Sequence, residues 1–98
     1  MSSFVCIAKF KSKHGKEIEL FDALSSLIKP TRAEEGCISY DLYRNAHEPS
    51  VLTMIEVFKS KADFDMHSSQ DYLLQFKEKV GSLVDSVDIK FFSPIQAL

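Results

Sequence analysis

Residues 37–59, CISYDLYRNAHEPSVLTMIEVFK, contain two strand-like runs joined by six residues that favour a turn. Cys37–Arg44 and Val51–Lys59 are rich in β-branched and aromatic residues, which favour strands. The intervening Asn45–Ser50 contains Asn, Pro and Ser, and it is too short to form another element. The stretch therefore predicts a hairpin of two antiparallel strands in the middle of the chain.

The segment before this hairpin predicts one strand and one helix. Phe4–Lys11 has the composition of a strand. From Lys16 onward, apolar residues recur at spacings of three and four, which indicates a helix with one buried stripe. Because Pro30 has no N–H to donate to the carbonyl of Ser26, we expect the helix to kink or restart at Pro30 and to end by Glu35.

The segment after the hairpin predicts two helices and a last strand. Ser60 can cap a short helix that ends near His67, and Ser68 or Ser69 can cap a second helix. The last strand is indicated by the apolar residues Val87, Ile89, Phe91 and Phe92. The resulting order, β-α-β-β-α-α-β, suits a ferredoxin-like α+β sandwich with four antiparallel strands in the order 4-1-3-2 and helices on one face.

The composition is that of one compact domain spanning residues 1–98. Hydrophobic residues make up 45% and there are three Gly and three Pro, which excludes a disordered or collagen-like chain. A net charge of −2 provides no field to attract nucleic acid or an anionic membrane. The longest apolar run, Phe4–Ala8, is far shorter than the ~20 residues of a membrane span, and Met1–Ser3 lacks a basic signal. We therefore expect a cytoplasmic protein.

Apolar residues on both faces of the predicted sheet point to a second subunit. In the first strand, Cys6 and Ala8 share one face. Val5 and Ile7, on the other face, are also apolar, and the third strand repeats the pattern. Because the predicted helices can cover one face, we expect a homodimer that forms through the other face of the sheet.

Three blocks, spread over nearly the whole chain, resemble a known family: KHGKE at 13–17, PTRAEEGCISYDLY at 30–43, and EVF at 56–58 followed by Phe64, His67 and Ser69. They are similar to the antibiotic biosynthesis monooxygenase (ABM) domain family of small dimeric α/β-barrel proteins. Members of this family include quinol monooxygenases that use neither metal nor flavin, an isomerase of a phosphorylated autoinducer-2 signal, and haem-degrading oxygenases. The haem-degrading branch relies on a pocket Trp, and this chain has Phe58 at that place and no Trp, which argues against haem degradation.

The resemblance implies a pocket between sheet and helices, in which two residues are candidate catalytic groups. Met54, Glu56 and Phe58 alternate along one strand and therefore share the face that would line it. A carboxylate among apolar neighbours needs a partner or a proton, and His67 is the candidate partner. Glu56 would set the orientation and basicity of His67, the general base. The alternatives are a surface His67 at a helix end and a Glu56 that pairs with a lysine at the sheet margin.

Tyr72, Phe76, Arg32 and one of two tyrosines are further candidates for substrate binding. Tyr72 and Phe76, one helical turn apart, could stack on a planar substrate, although such pairs often pack in cores. Tyr40 and Tyr43 fall on opposite strand faces, so at most one of them reaches a given pocket, and Arg32 could bind an anion. The chain has no metal-ligand spacing and no glycine-rich phosphate loop, so we expect no metal, haem or flavin.

The resulting hypothesis is a cofactor-independent monooxygenase that acts on a small aromatic, quinol-like or enolisable substrate. His67 would remove a phenolic or enolic proton, and the anion would react with O₂. One alternative is an isomerase of a small phosphorylated compound that uses the same base, and another is a non-catalytic small-molecule-binding module. RNA-recognition domains share the strand order, but the aromatic signature that they need is missing from this sequence.

Overall fold

The computed structural model describes residues 3–95 and contains a four-stranded antiparallel sheet with helices packed on one face. In chain order the elements are β1 (Phe4–Ser12), α1 (Glu17–Ser25), α2 (Ile28–Arg32), β2 (Cys37–Arg44), β3 (Val51–Phe58), α3 (Lys61–Ser68), α4 (Asp71–Val80) and β4 (Val84–Phe92). The strands lie in the order β2-β3-β1-β4, and each neighbouring pair is antiparallel. The predicted ferredoxin-like fold and its strand order are confirmed. The two ends of the predicted 1–98 domain lie outside the described residues.

The helix that precedes the hairpin is interrupted earlier than predicted. α1 ends at Ser25 and α2 begins at Ile28, so the break lies just before Pro30 rather than at it. Because Pro30 has no N–H, a continuous helix would leave the carbonyl of Ser26 without its partner. The early break places Pro30 in the first turn of α2, where an N–H would have no partner within the helix.

The caps of α3 and α4 agree with the prediction at one helix and differ at the other. The Ser60 hydroxyl accepts a hydrogen bond from the Asp63 N–H at 3.1 Å, which confirms the predicted cap of α3. At α4 the N-cap is Gln70, so the prediction of Ser68 or Ser69 is wrong. Ser68 is the last residue of α3, and the Ser69 hydroxyl donates back to a carbonyl of that helix.

The hydrophobic core lies between the helices and one face of the sheet, which we call the inner face. Alternation along β1 places Cys6, Ala8 and Phe10 on this face, where all three are buried. β3 contributes Met54 and Phe58 in the same way. The helices contribute the buried residues Leu20, Ala23, Leu24, Leu73 and Phe76. No helix within residues 3–95 is long and apolar enough to cross a membrane.

The edge strand β4 is only partly covered by the helices. Phe91 pairs with Cys6 and Ile89 pairs with Ala8, so both face the core side of the sheet. Their side chains are nevertheless 51% and 50% exposed. The helical layer therefore ends before β4, and an opening remains between β4 and α4.

Candidate active site

A cavity of about 330 Å³ lies between the inner face of the sheet and the helices. Its walls are mostly apolar and include Ala8, Phe10, Met54, Leu73 and Phe76. Its polar side chains are Cys6, Tyr40, Glu56, His67, Ser68 and Lys77. Because the first four of these are buried or nearly so, whereas the lining residues of β4 are exposed, the cavity is closed at the Glu56 end and open towards β4.

His67 is a core residue, and the interpretation as a surface histidine is wrong. Its side chain is 2% exposed, although it lies in the last turn of α3. The imidazole packs against Phe58, with ring centroids 4.9 Å apart, and against Tyr40 at 5.4 Å. These contacts hold the ring between α3 and the centre of the sheet.

Glu34, and not Glu56 as predicted, is the hydrogen-bond partner that orients His67. The distance from His67 Nδ1 to Glu34 Oε2 is 2.8 Å, and the Tyr72 hydroxyl donates to the same oxygen. A carboxylate oxygen only accepts, so Nδ1 carries a hydrogen, and in the neutral imidazole Nε2 is then the acceptor. The basic nitrogen of His67 is therefore the one on the opposite side of the ring from Glu34.

Sequence reasoning did not single out Glu34 as a site residue. It lies in the turn that follows α2, 33 positions before His67. Periodicity cannot show that this turn returns to the end of α3. The available signal was its place in the block at 30–43 that carries the family resemblance.

Glu56 lies at the closed end of the cavity, in the middle of β3. It pairs with Cys6 on one side and with Tyr40 on the other, and its side chain is buried. Oε1 has no hydrogen-bond partner among the described residues, and it lies 3.8 Å from His67 Nε2. Within residues 3–95 no lysine forms an ion pair with Glu56, so the alternative of a lysine partner is wrong.

Burial favours the uncharged forms of Glu56, Cys6 and Tyr40. Desolvation, together with the charge of Glu34, raises the pKa of Glu56 to about 8, although contact with the Cys6 thiol lowers it. Desolvation also raises the pKa of Cys6 to about 12 and raises that of Tyr40 above its ordinary range. At neutral pH these shifts favour the carboxylic acid form of Glu56, the thiol form of Cys6 and the phenol form of Tyr40.

Five of the eight site residues that the sequence indicates line the cavity: Tyr40, Met54, Glu56, His67 and Phe76. Tyr43 is 53% exposed, which settles that Tyr40 is the tyrosine that faces inward. The other three site residues do not line the cavity. Phe58 is fully buried behind the His67 ring, and Tyr72 acts through its hydrogen bond to Glu34. Arg32 donates from Nε to the Tyr40 carbonyl at 3.0 Å and pairs with Asp41 at 2.8 Å.

The fold agrees with the results of comparisons with known proteins. The family model described as antibiotic biosynthesis monooxygenase matches residues 3–79. The chain belongs to this family. The resemblance that the three sequence blocks indicate is confirmed, and family membership supports a monooxygenase-like function in general terms.

Relatives of this ABM protein share both sequence and structure with it. "Putative monooxygenase Rv0793" of Mycobacterium tuberculosis is 35% identical over 83 residues, which are 85% of this chain and 81% of the relative. Its structure aligns with 98% of each chain at a TM-score of 0.93. "Putative monooxygenase YcnE" of Bacillus subtilis is 31% identical over 82% of this chain and 88% of its own. The crystal structure of SO0527 from Shewanella oneidensis has a TM-score of 0.92 at 37% identity and covers 95% of this chain and 91% of that one.

The site of this ABM chain has the features of a general base in a water-poor pocket. His67 Nδ1 is held by Glu34, Nε2 is free to accept a proton, and the surrounding walls are apolar. In the part of the chain that the structure describes, no group of three His, Cys, Asp or Glu side chains could hold a metal ion. The side chain in this arrangement that can accept a proton is His67, through Nε2.

Proposed function

We propose that this protein is a cofactor-independent monooxygenase that acts on a small aromatic, quinol-like or enolisable substrate. The observation that supports it is the buried His67, whose Nδ1 is bonded to Glu34 at 2.8 Å while Nε2 is left without a strong partner beside an apolar cavity. An imidazole held in this way is a suitable base for a phenol or an enol.

His67 Nε2 takes the proton of the substrate hydroxyl, and the resulting anion is electron-rich enough to react with O₂. The substrate supplies the electrons, so one oxygen atom enters the product and the other leaves as water. Apolar walls favour this chemistry because they keep water away from the anion and from the oxygenated intermediate. Tyr40, Met54 and Phe76 would bind the apolar part of the substrate.

The charges around the cavity favour a monooxygenase over an isomerase that acts on a phosphorylated compound. A phosphate is bound by several cationic or N–H donors. The cavity is lined by one lysine, Lys77, and Arg32 is directed to Asp41 instead. A neutral, largely apolar substrate fits these walls better than a phosphorylated sugar.

Native mass spectrometry with quinols, polyphenols and phosphorylated sugars tests this function directly. We expect the protein to retain naphthalene-1,4-diol and 1,8-dihydroxyanthrone, and we expect a variant in which Ala8→Trp fills the cavity to lose both. Ala8 lines the cavity and is buried, so the indole ring of tryptophan at this position would occupy the cavity. Retention of phosphorylated sugars but not of quinols would favour the isomerase and contradict the proposal.

We also propose that the protein is a homodimer formed through the outer face of the sheet. The outer patch consists of Val5, Ile7, Ile55 and Val57, in which Val5 pairs with Val57 and Ile7 pairs with Ile55. All four side chains are only partly buried in the single chain. Contiguous apolar side chains on one face of a sheet are typical of a protein interface.

A further inference from the structure

Glu56 has a buried oxygen that no group in the cavity satisfies. Three buried side-chain atoms have no hydrogen-bond partner in the described residues, namely Ser12 Oγ, Thr31 Oγ1 and Glu56 Oε1. Of these residues, Glu56 is the one that lines the cavity. A buried polar atom without a partner costs free energy, so such an atom at a cavity wall indicates a polar atom of the ligand.

The distance between Glu56 and His67 fits one shared ligand oxygen. Oε1 and Nε2 are 3.8 Å apart, which is too long for a direct hydrogen bond. An oxygen atom can nevertheless lie about 2.8 Å from both atoms, because two such contacts span this gap as the sides of a triangle. The structure thus has room for a hydroxyl that contacts both side chains at the same time.

The two carboxyl groups near His67 have opposite environments. Glu34 Oε2 accepts from both His67 and Tyr72, as a carboxylate does. Glu56 is surrounded by Cys6, Tyr40 and His67, and none of them donates to its free Oε1. Burial favours the protonated form of Glu56, which can donate a hydrogen bond that a carboxylate cannot.

We propose that Glu56 is a catalytic residue of this site that, as a neutral acid, donates a hydrogen bond to the same substrate oxygen whose proton passes to His67. The proposal rests on the proposed function, since it assigns the second contact of the hydroxyl that His67 deprotonates. The O–H bond of the substrate breaks, its electron pair stays on the oxygen, and its proton goes to Nε2. Glu56 keeps its own proton and stabilises the oxyanion.

This assignment specifies the class of substrate more closely. The acidic hydrogen is on an oxygen attached to an aromatic ring or an enol, because Glu56 and His67 together bind an oxygen atom. Glu34 is a positioning residue, since it acts through His67 and does not line the cavity. Its carboxylate holds the hydrogen on Nδ1, whereas Glu56 acts on the substrate.

Binding of 4-nitrophenol tests the proposal without any oxygenation, because the absorbance of this probe reports its ionisation. We expect the wild-type protein to bind it and to lower its apparent pKa. Glu56→Gln retains a neutral donor of the same shape and should preserve most of this effect. Glu56→Leu removes the donor and should weaken binding of the phenolate by about 10- to 100-fold. Failure of the wild-type protein to bind or ionise the probe would overturn the proposal.

Two substitutions of the same kind separate the roles of the two carboxyl groups. We expect Glu34→Gln to impair ionisation of bound 4-nitrophenol strongly, because an amide no longer fixes the hydrogen on Nδ1, whereas Glu56→Gln, which keeps a neutral donor, should retain a much larger part of the ionisation. Glu35→Gln is the matched control, since Glu35 is exposed and does not line the cavity. The reverse pattern, with Glu34→Gln tolerated and Glu56→Gln inactive, would show that Glu56 acts as a carboxylate and would overturn the proposal.

The same variants distinguish failure of the proposal from failure of the proposed function. If the wild-type protein ionises 4-nitrophenol in a Glu56-dependent way but oxygenates no quinol, the oxyanion site stands and the monooxygenase assignment fails. If the protein oxygenates a quinol and Glu56→Leu retains the full rate, the monooxygenase stands and the role of Glu56 is wrong. Circular dichroism of Glu56→Leu checks that the variant is folded, and Glu56→Gln supplies the decisive comparison if it is not.

Discussion

The chemistry of His67 depends on which ring nitrogen carries the hydrogen, and one contact decides this. Glu34 accepts from Nδ1 at 2.8 Å, and the same carboxylate oxygen accepts from Tyr72. Tyr72 therefore restricts the position of the carboxylate that in turn orients the ring. The base depends on a chain of two hydrogen bonds that links α4, the turn after α2, and α3.

Substitution of Glu34 should change the tautomer of His67. In the wild-type protein we expect ¹⁵N NMR to show a protonated Nδ1 and an unprotonated Nε2, because the carboxylate stabilises that form. In Glu34→Gln the amide can donate as well as accept, so we expect a mixture of both tautomers. Glu35→Gln should leave the spectrum unchanged. An unchanged His67 spectrum in Glu34→Gln would contradict the positioning role.

Substitution of Glu56 should stabilise the protein increasingly as the pH rises. Burial raises the pKa of Glu56 from 4.5 to about 8, so the folded state holds a proton that the unfolded chain releases. Stability that the wild-type protein has below pH 4.5 is therefore lost progressively until the pH passes about 8. In Glu56→Gln this loss is absent. The melting temperature of the variant relative to wild type should increase from pH 5 to pH 8 and then level off, whereas a constant difference would contradict the neutral Glu56.

At the scale of single residues, part of the site could be predicted from the sequence. Glu56 could be recognised as a site residue because an acidic side chain between Met54 and Phe58 on the inner face of a strand is unusual. A buried carboxylate needs a partner, and this need indicated His67 as a second site residue. Glu34 was missed because its contact depends on how a turn folds back. Arg32 and Phe58 were predicted to line the cavity. In the structure Arg32 forms an ion pair with Asp41, and Phe58 is buried behind His67.

At the scale of elements, α3 is positioned by its N-terminal cap and by close approach to Gly36. A Cβ atom at Gly36 would overlap Cβ and Cγ of Asp63, the residue whose N–H binds Ser60 at the start of α3. Gly36 therefore allows the turn that contains Glu34 to approach the helix that carries His67. This close approach brings the two partners of the site together.

Gly36→Ala should destabilise the protein and disturb the site. The added methyl group overlaps the base of the Asp63 side chain, which cannot move away without disturbing the helix cap, so we expect a loss of about 1–3 kcal/mol. Gly81→Ala is the matched control. Apart from its neighbours in the chain, no described residue has a heavy atom within 4 Å of its Cβ position, and its φ of −58° suits alanine. Thermal unfolding of both variants checks this, and equal melting temperatures would contradict the account.

The helices and strands themselves were largely predictable because their signals are local. The β-branched and aromatic composition of β1 and β3 and the cap at Ser60 give these elements within one or two residues. The break before Pro30 and the Gln70 cap were not predicted. In both cases the outcome depends on where the preceding helix ends, and this is set by packing rather than by the local sequence.

At the scale of the whole molecule, the two faces of the sheet differ in what covers them. Four helices cover the inner face apart from its β4 side, and the outer patch remains partly exposed in a single chain. Apolar residues on both faces could be recognised in the sequence, because alternation assigns each residue to a face. The extent of the helical layer towards β4 could not be recognised in the sequence, because it depends on how the helices pack together.

A substitution in the outer patch should dissociate the proposed dimer. Ile55→Asp places a charge in the middle of this patch, where burial against a second copy would be strongly unfavourable. Sedimentation at micromolar concentration should show a dimer for the wild-type protein and a monomer for the variant. Ile18→Asp, on α1 at a position that is 77% exposed, is the control and should remain dimeric. A wild-type monomer of 11.1 kDa would contradict the dimer.

The central claim is that His67 is the base of an oxygenase that needs no cofactor, and oxygen uptake tests it most directly. With 1,8-dihydroxyanthrone or naphthalene-1,4-diol in air, we expect purified protein to consume O₂ faster than the solution without protein. The products should be 1,8-dihydroxyanthraquinone and 2-hydroxy-1,4-naphthoquinone, each of which gains one oxygen atom from O₂ while the other oxygen atom leaves as water. His67→Gln, which fills the buried site better than alanine would, should lower this rate by about 10²-fold or more. His14→Gln, in an exposed turn, should have no effect. A wild-type rate equal to the background, or full activity in His67→Gln, would contradict the account.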